Sequence, residues 1–117
     1  MSTELGSYLR ERREALKTEN KAFSLRQVAQ RIAVEPSYLS KVERGREVPS
    51  EPKLHRLADE LGVNRDVLLA LAGKVSTALQ RVIRKRPELF AQVIRDLARL
   101  PDHAVLRVVR EVRDGDW

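Results

Sequence analysis

The stretch Leu25 to Arg44, LRQVAQRIAVEPSYLSKVER, decides the reading of this chain. Val28, Ile32, Val34, Leu39 and Val42 are apolar at the positions where two helices joined by a tight turn must pack, and Ala29 is small where the helices cross. That spacing predicts a helix-turn-helix unit. With Leu39 and Val42 turned inward, the opposite face of its second helix carries Pro36, Ser37, Ser40, Lys41 and Arg44. A face this short, polar and cationic suits the major groove of double-stranded DNA.

Local signals bound the two helices. Ser24, followed three residues later by Gln27, reads as a capping box opening a helix that runs through Ile32, with Phe23 placed to staple Val28. Ala33-Val34-Glu35 makes the turn, Pro36 stands in the first turn of the next helix, and Arg44-Gly45 ends it. Upstream, Leu5, Tyr8 or Leu9, and Leu16 recur at helical spacing from about Thr3 to Thr18, with Arg10, Arg12, Arg13 and Lys17 on the polar face. Glu19 to Phe23 breaks the pattern. Downstream, Ser50 is placed to cap a fourth helix with Pro52 in its first turn, Leu54, Leu57, Ala58 and Leu61 on one face, and Gly62 at its close. Asn64 caps a fifth, from Arg65 to Ala72.

Three more helices follow. Ser76 or Thr77 caps one that reaches about Lys85, Pro87 starts another carrying Leu89, Phe90, Val93, Ile94 and Leu97, and Pro101 starts a last one with Val105, Leu106, Val108, Val109 and Val112. The tail from Asp114 is expected to fray, or Trp117 to tuck back against a neighbour. Strand-like alternation is scarce, so the fold class is all-α, with a five-helix domain over residues 1–73 and a helical extension over residues 74–117. Those two C-terminal apolar sets offer more surface than short helices bury alone. Dimerisation through Leu89, Phe90, Val93, Ile94, Leu97, Val105, Leu106, Val108, Val109 and Val112 is the expected use.

Composition agrees. The 117 residues are 42% hydrophobic and 34% charged, enough apolar content for a core in a chain of one small domain and an appendage. The formal charge is +6 and the pI about 10.2, which favours a polyanionic partner. Two basic regions, at +4 over residues 1–46 and +3 over residues 75–117, flank a middle at −1. Arg84-Lys85-Arg86 is readable as a second anion contact, or simply as cations that suit a helix C-terminus. The absence of cysteine removes disulfides, thiolate metal sites and cysteine nucleophiles, and fits a reducing cytoplasm. Residues 1–4 lack the pattern of a secretory signal, and the longest apolar run, Val67 to Ala72, is far too short for a membrane span. His55 and His103 are isolated, and no catalytic arrangement or phosphate loop is legible. The expectation is no enzyme, no metal and no cofactor.

Over about residues 5 to 73 the sequence resembles the xenobiotic-response-element (XRE) family of helix-turn-helix regulators, also called Cro or phage-repressor-like. SLRQVAQRI matches its first motif helix, PSYLSKVERG its recognition helix, and VPSEPKLHRLADELGV its fourth helix and exit. The resemblance implies the five-helix lambda-repressor-like fold. It also implies that Pro36, Ser37 and Lys41 face base edges, with Tyr38 and Ser40 at the margin, and that Ser24, Arg26, Arg44 and Arg46 contact phosphates. Glu43 matches the family's inward-pointing glutamate, and its expected partner is Arg13 on the first helix. Ala33 stands where the family uses glycine, a substitution that costs roughly 1 kcal/mol if the backbone stays left-handed. The loop from Lys17 to Phe23 is longer than usual in the family.

These readings converge on a cytoplasmic, nucleoid-associated, sequence-specific DNA-binding regulator, a homodimeric repressor that reads an inverted repeat. The alternative is an antitoxin or adaptor whose C-terminal helices hold a regulatory protein partner.

Overall fold

The computed structural model describes residues 4–117, and among these the regular structure is entirely helical. In chain order it comprises α1 (Glu4–Lys17), a single 3-10 turn (Lys21–Phe23), α2 (Leu25–Arg31), α3 (Pro36–Glu43), α4 (Glu51–Leu61), α5 (Arg65–Leu71), α6 (Thr77–Lys85), α7 (Pro87–Ala98) and α8 (Asp102–Asp114). Thr3, the expected start of α1, lies outside the described residues. The chain divides into two units, the first ending at Ser76 and the second beginning at Thr77. Lys74 belongs to the first because its Nζ donates to the Pro49 carbonyl at 3.0 Å.

The core of the first unit draws on all five helices. Leu5 and Leu9 come from α1, Val28, Ala29 and Ile32 from α2 and its end, Leu39 and Val42 from α3, four residues from α4, and Leu68 and Leu69 from α5. All are at most 2% exposed. Tyr8, Leu16, Phe23, Leu25, Val34 and Tyr38 pack around this cluster. Such burial across five short elements holds together helices of seven to fourteen residues that are individually too short to persist in water.

Helix N-termini depart in three places from what the sequence implies. Asn64 caps α5 as expected, its Oδ1 accepting from the amides of Asp66 at 2.8 Å and Val67 at 3.2 Å. Ser24 Oγ accepts from the Gln27 amide at 3.2 Å, but the reciprocal half of the capping box is not formed, because the Ser24 amide donates to Lys21 O. The 3-10 turn, itself capped by Asn20 Oδ1 on the Ala22 amide, takes that donor first. Ser50 occupies the N-cap position of α4 without a side-chain capping bond. In the last helix Pro101 is the N-cap residue and Asp102 begins the helix.

Four successive helices close the same way. In α2, α3, α4 and α5 one amide bonds back three residues and the next bonds back five: Ala33 to Gln30 with Val34 to Ala29, Gly45 to Val42 with Arg46 to Lys41, Gly62 to Asp59 with Val63 to Ala58, and Gly73 to Ala70 with Lys74 to Leu69. The motif needs a left-handed residue, and three of the four are glycine, with φ of 77°, 66° and 72°. The fourth is Ala33 at φ 60°. An L-residue with a Cβ is strained there by roughly 1–2 kcal/mol. Ala33→Gly is therefore expected to stabilise the chain by about 1 kcal/mol, after the entropic cost of glycine is deducted. Urea unfolding at constant m-value checks this, and a variant no more stable than the parent would mean the turn holds no such strain.

Arginines tie the helices together across long sequence separations. Arg12 Nε donates to the Leu61 carbonyl at 2.9 Å and Arg56 Nη1 to the Ile32 carbonyl at 3.0 Å, so the C-termini of α4 and α2 are each capped by a cation from another helix. Arg31 pairs with Glu60 at 2.6 Å and sits 5.2 Å from the Phe23 ring centroid. Arg65 pairs with Asp59 through two bonds of 2.9 and 2.6 Å. The hydrogen bond from Arg65 holds the Asp59 carboxyl below its ordinary pKa.

The second unit is built differently. No residue from Thr77 onward is buried, although α6, α7 and α8 each carry an apolar face. Trp117 bends back so that its indole N–H donates to the Val112 carbonyl at 2.9 Å, yet the residue stays 88% exposed.

Candidate nucleic-acid interface

The site begins with what fixes α3. Pro36 at its first turn brings a φ already suited to a helix, and Glu35 stands at the N-cap without a side-chain bond. Leu39 and Val42 anchor the inward face. Beside them Glu43, only 7% exposed, receives a two-pronged hydrogen bond from Arg13: Nε to Oε2 at 2.7 Å and Nη2 to Oε1 at 3.0 Å. Arg13 completes its set by donating to Phe23 O at 3.3 Å and Glu14 Oε1 at 3.2 Å. The Glu43 hydrogen bond raises the guanidinium pKa above its ordinary value against the opposing effect of burial. A buried pair satisfied on both sides fixes the rotation of α3 about its axis, because each prong requires a planar match.

Gly6 on α1 is the second fixing element, and its importance is not apparent in the sequence. A Cβ built at Gly6 would lie 2.5 Å from the carbonyl oxygen of Glu43 and 2.9 Å from that of Val42. The backbone of α1 therefore rests directly on the last turn of α3. Sequence reading alone treats a helical glycine as a weakness, and only the approach of the two backbones gives it a purpose.

The outward face is contrastingly free. Ser37 and Lys41 are exposed, and Lys41 forms no ion pair or side-chain hydrogen bond among the described residues. Pro36 and Ser40 are half-buried alongside them. Tyr38 is half-buried against the core, with Lys53 Nζ of α4 4.6 Å from its ring centroid. Burial first, and the nearby Glu47 second, push the phenol pKa up, so the hydroxyl remains a hydrogen-bond donor through ordinary pH.

The residues assigned to phosphate fall on both sides of this face. Arg26 is exposed on α2 without a partner among the described residues, and with Gln30, Val34, Glu35 and Pro36 it lines an open cleft of about 510 Å3 between α2 and the start of α3. Gln30, one turn beyond Arg26 on the same exposed face, is a polar neighbour that the motif reading did not single out. Ser24 Oγ is engaged with the Gln27 amide. Arg44 folds its Nε back onto the Ser40 carbonyl at 3.3 Å, whereas Arg46, just past Gly45, is exposed and its side chain has no partner among the described residues.

Partner choice sorts the cations of this unit. Arg12, Arg13, Arg31, Arg56 and Arg65 are bound to other helices or their own, while Arg26, Lys41 and Arg46 around α3, together with Arg10, Lys17 and Lys21 elsewhere, have no partner among the described residues. Cations with no internal task are those that cost least to turn toward phosphate. Among the described residues no group of three or more His, Asp or Glu side chains is placed to hold a metal, and His55 lies 3.6 Å from Glu51 one turn away. No helix among them is long and apolar enough to cross a membrane.

A family model described as a helix-turn-helix domain matches residues 4–71, more than half of the chain and all of α1 to α5. The chain belongs to the helix-turn-helix domain family. The XRE-like resemblance carried by SLRQVAQRI and PSYLSKVERG holds with it. Two HTH-type transcriptional regulators of Mycobacterium tuberculosis, from strains CDC 1551 / Oshkosh and ATCC 25618 / H37Rv, are each 41% identical to this helix-turn-helix chain over 68 residues. The match covers 58% of this chain and 45% of each relative, so the chain spans about half the length of the curated relatives it matches. A crystal structure of the clp gene regulator ClgR from Corynebacterium glutamicum is similar at 31% identity and a TM-score of 0.47, covering 77% of this chain and 85% of that one.

Proposed function

We propose that this helix-turn-helix chain is a sequence-specific DNA-binding transcriptional regulator that acts in the cytoplasm on the nucleoid, as a homodimeric repressor of promoters carrying an inverted repeat. The carrying observation is the division of α3 into a rigidly held inner face, with Leu39, Val42 and the Arg13–Glu43 pair, and an outer face of Ser37 and Lys41 free to bond elsewhere. In this reading Lys41 donates to guanine O6 and N7, Ser37 adapts to either partner, and Pro36, Tyr38 and Ser40 shape the margin. Arg26, Arg44, Arg46 and Ser24 set the register on phosphates.

The dimer is supported by the second unit. Of its expected contact residues, Leu89, Val93, Ile94, Leu106, Val108, Val109 and Val112 are 37–62% exposed, and Phe90, Leu97 and Val105 are half-buried. Apolar helices with nothing buried between them gain stability by covering one another in a second copy. Two-fold pairing would set two α3 helices about 34 Å apart, one turn of DNA.

Selection of sites from random DNA by the purified chain at near-physiological salt tests the reading. Recovery of an inverted repeat with half-sites one turn apart supports it. Recovery of no motif overturns it, in favour of a chain whose C-terminal helices hold a regulatory protein. On the selected site, Lys41→Ala is expected to lose about 1–3 kcal/mol of discrimination at one base pair. Arg46→Ala is expected instead to weaken all sequences alike and lower the salt slope by about 1. Competition assays against single-base variants distinguish the two, and equal effects of both substitutions on every sequence would sink the assignment of Lys41 to a base.

A further inference from the structure

A second cationic surface lies outside the helix-turn-helix domain. From Val67 to Pro87 the chain contains no Asp or Glu, while Lys74, Arg81, Arg84, Lys85 and Arg86 all fall within that span. On α6, Arg81, Arg84 and Lys85 stand at i, i+3 and i+4, which places them on one face of the helix. Leu79, Val82 and Ile83 occupy the other. All three cations are exposed, and none has an ion pair or hydrogen bond among the described residues. Elsewhere in the second unit Arg99 pairs with Asp96 and Arg113 with Asp114, while Arg95, Arg107 and Arg110 are exposed without a partner among the described residues but lie on helices that also carry Asp or Glu.

Attraction to the helix C-terminus does not account for this face. That effect acts within the last turn, and Arg81 lies in the middle of a nine-residue helix. It also gives no reason for the absence of acidic residues before the helix begins. A stripe of three cations without partners among the described residues, set in a span of sequence that holds no Asp or Glu, is complementary to a row of phosphates.

We propose that the Arg81, Arg84 and Lys85 face of α6 is a DNA-backbone contact, engaging phosphates that flank the half-site read by α3. The inference rests on the DNA-binding reading above. The short connection supports it: at most four residues, Gly73 to Ser76, lie between the C-cap of α5 and Thr77, and the first two of them belong to the turn that closes α5. Four residues span at most about 14 Å, and six more helical residues to the middle of the stripe add about 9 Å. The link therefore confines the stripe to within about 23 Å of the domain's last turn, and once α3 is docked any phosphates inside that radius are met at high effective concentration. Such contacts carry no base preference and add affinity that falls with salt.

The test is the dependence of binding on salt, measured on the site selected by the wild-type chain. The triple variant Arg81→Gln, Arg84→Gln, Lys85→Gln is expected to lower the slope of log K against log salt by about 2 to 3 per bound chain, with base preference unchanged. The variant Arg81→Lys, Arg84→Lys keeps the charge and is expected to keep the wild-type slope. Thermal unfolding and light scattering of both variants check that fold and assembly are retained; these exposed residues pack against nothing that would disturb either. An unchanged slope for the glutamine variant, with tight binding retained, overturns this proposal and leaves the DNA-binding reading standing. Failure of the wild-type chain to bind any DNA overturns the reading itself. An unchanged slope accompanied by wild-type binding to phosphatidylserine vesicles that the glutamine variant has lost overturns the proposal in favour of an anionic membrane surface.

Discussion

Glu43→Ala is expected to cost about 3–5 kcal/mol of folding stability, because it leaves the Arg13 guanidinium buried with its principal partner gone. The side chains of Arg13 and Glu43 are 5% and 6% exposed, so water cannot easily replace the lost carboxylate. A domain of this size has about 5–15 kcal/mol in all, and the loss would bring it close to unfolding at physiological temperature. The informative comparison is the double variant Arg13→Met, Glu43→Leu. Removing both charges relieves the desolvation penalty along with the attraction, and the double variant is expected to recover most of the stability. Urea denaturation of both single variants and the double variant gives the coupling energy directly. A cost below about 1 kcal/mol for Glu43→Ala would mean that the pair is relaxed by solvent and does not hold the helix. If the double variant is stable but binds DNA less selectively, the pair's contribution is orientation of α3 and not stability alone.

The second large effect is at Gly6, where two physical rules predict opposite signs. Helix propensity says that Gly6→Ala should stabilise α1 by about 1 kcal/mol. Packing says the reverse. The added methyl would meet the Glu43 carbonyl oxygen at 2.5 Å, the Val42 oxygen at 2.9 Å and the Glu43 carbonyl carbon at 3.0 Å. These are backbone atoms in the last turn of a helix and cannot rotate aside as a flexible side chain does. Separation of α1 from α3 would disturb the seating of Leu5 and Leu9, so a net destabilisation of about 1–3 kcal/mol is expected for alanine, and more for valine. Melting temperatures of the two variants decide the sign, and a Gly6→Ala protein more stable than the parent would refute the close approach of the helices.

The helices themselves were legible because their signals are local. Asn64 and Gly62 act within four residues of their own positions, and the apolar spacing of Leu54, Leu57, Ala58 and Leu61 reports one face of one helix. Position in the chain does not reveal what depends on distant partners. The sequence separations of 49 positions from Arg12 to the Leu61 carbonyl, and of 24 from Ile32 to Arg56, hide two helix caps that no motif marks. Ser50 misleads for a related reason: its residue type and position suit a cap, but the hydroxyl makes no capping bond. Within the interface, Lys41 and Ser37 are readable from the alternation of inward and outward positions on α3. Tyr38 is less so, since its engagement by Lys53 and its burial depend on where α4 lies. Gly6 is the least legible of all, because the residue that shapes the site contributes no side chain.

The even burial of α1 to α5, set against the absence of any buried residue from Thr77 onward, bears on how long each molecule survives. Local opening costs little where few contacts are buried, so the C-terminal helices would expose their backbone to proteases well before the domain does. In the proposed homodimer, the second copy that covers these apolar faces would also shield them from cleavage, so that the dissociated chain is expected to be cleared faster than the paired one.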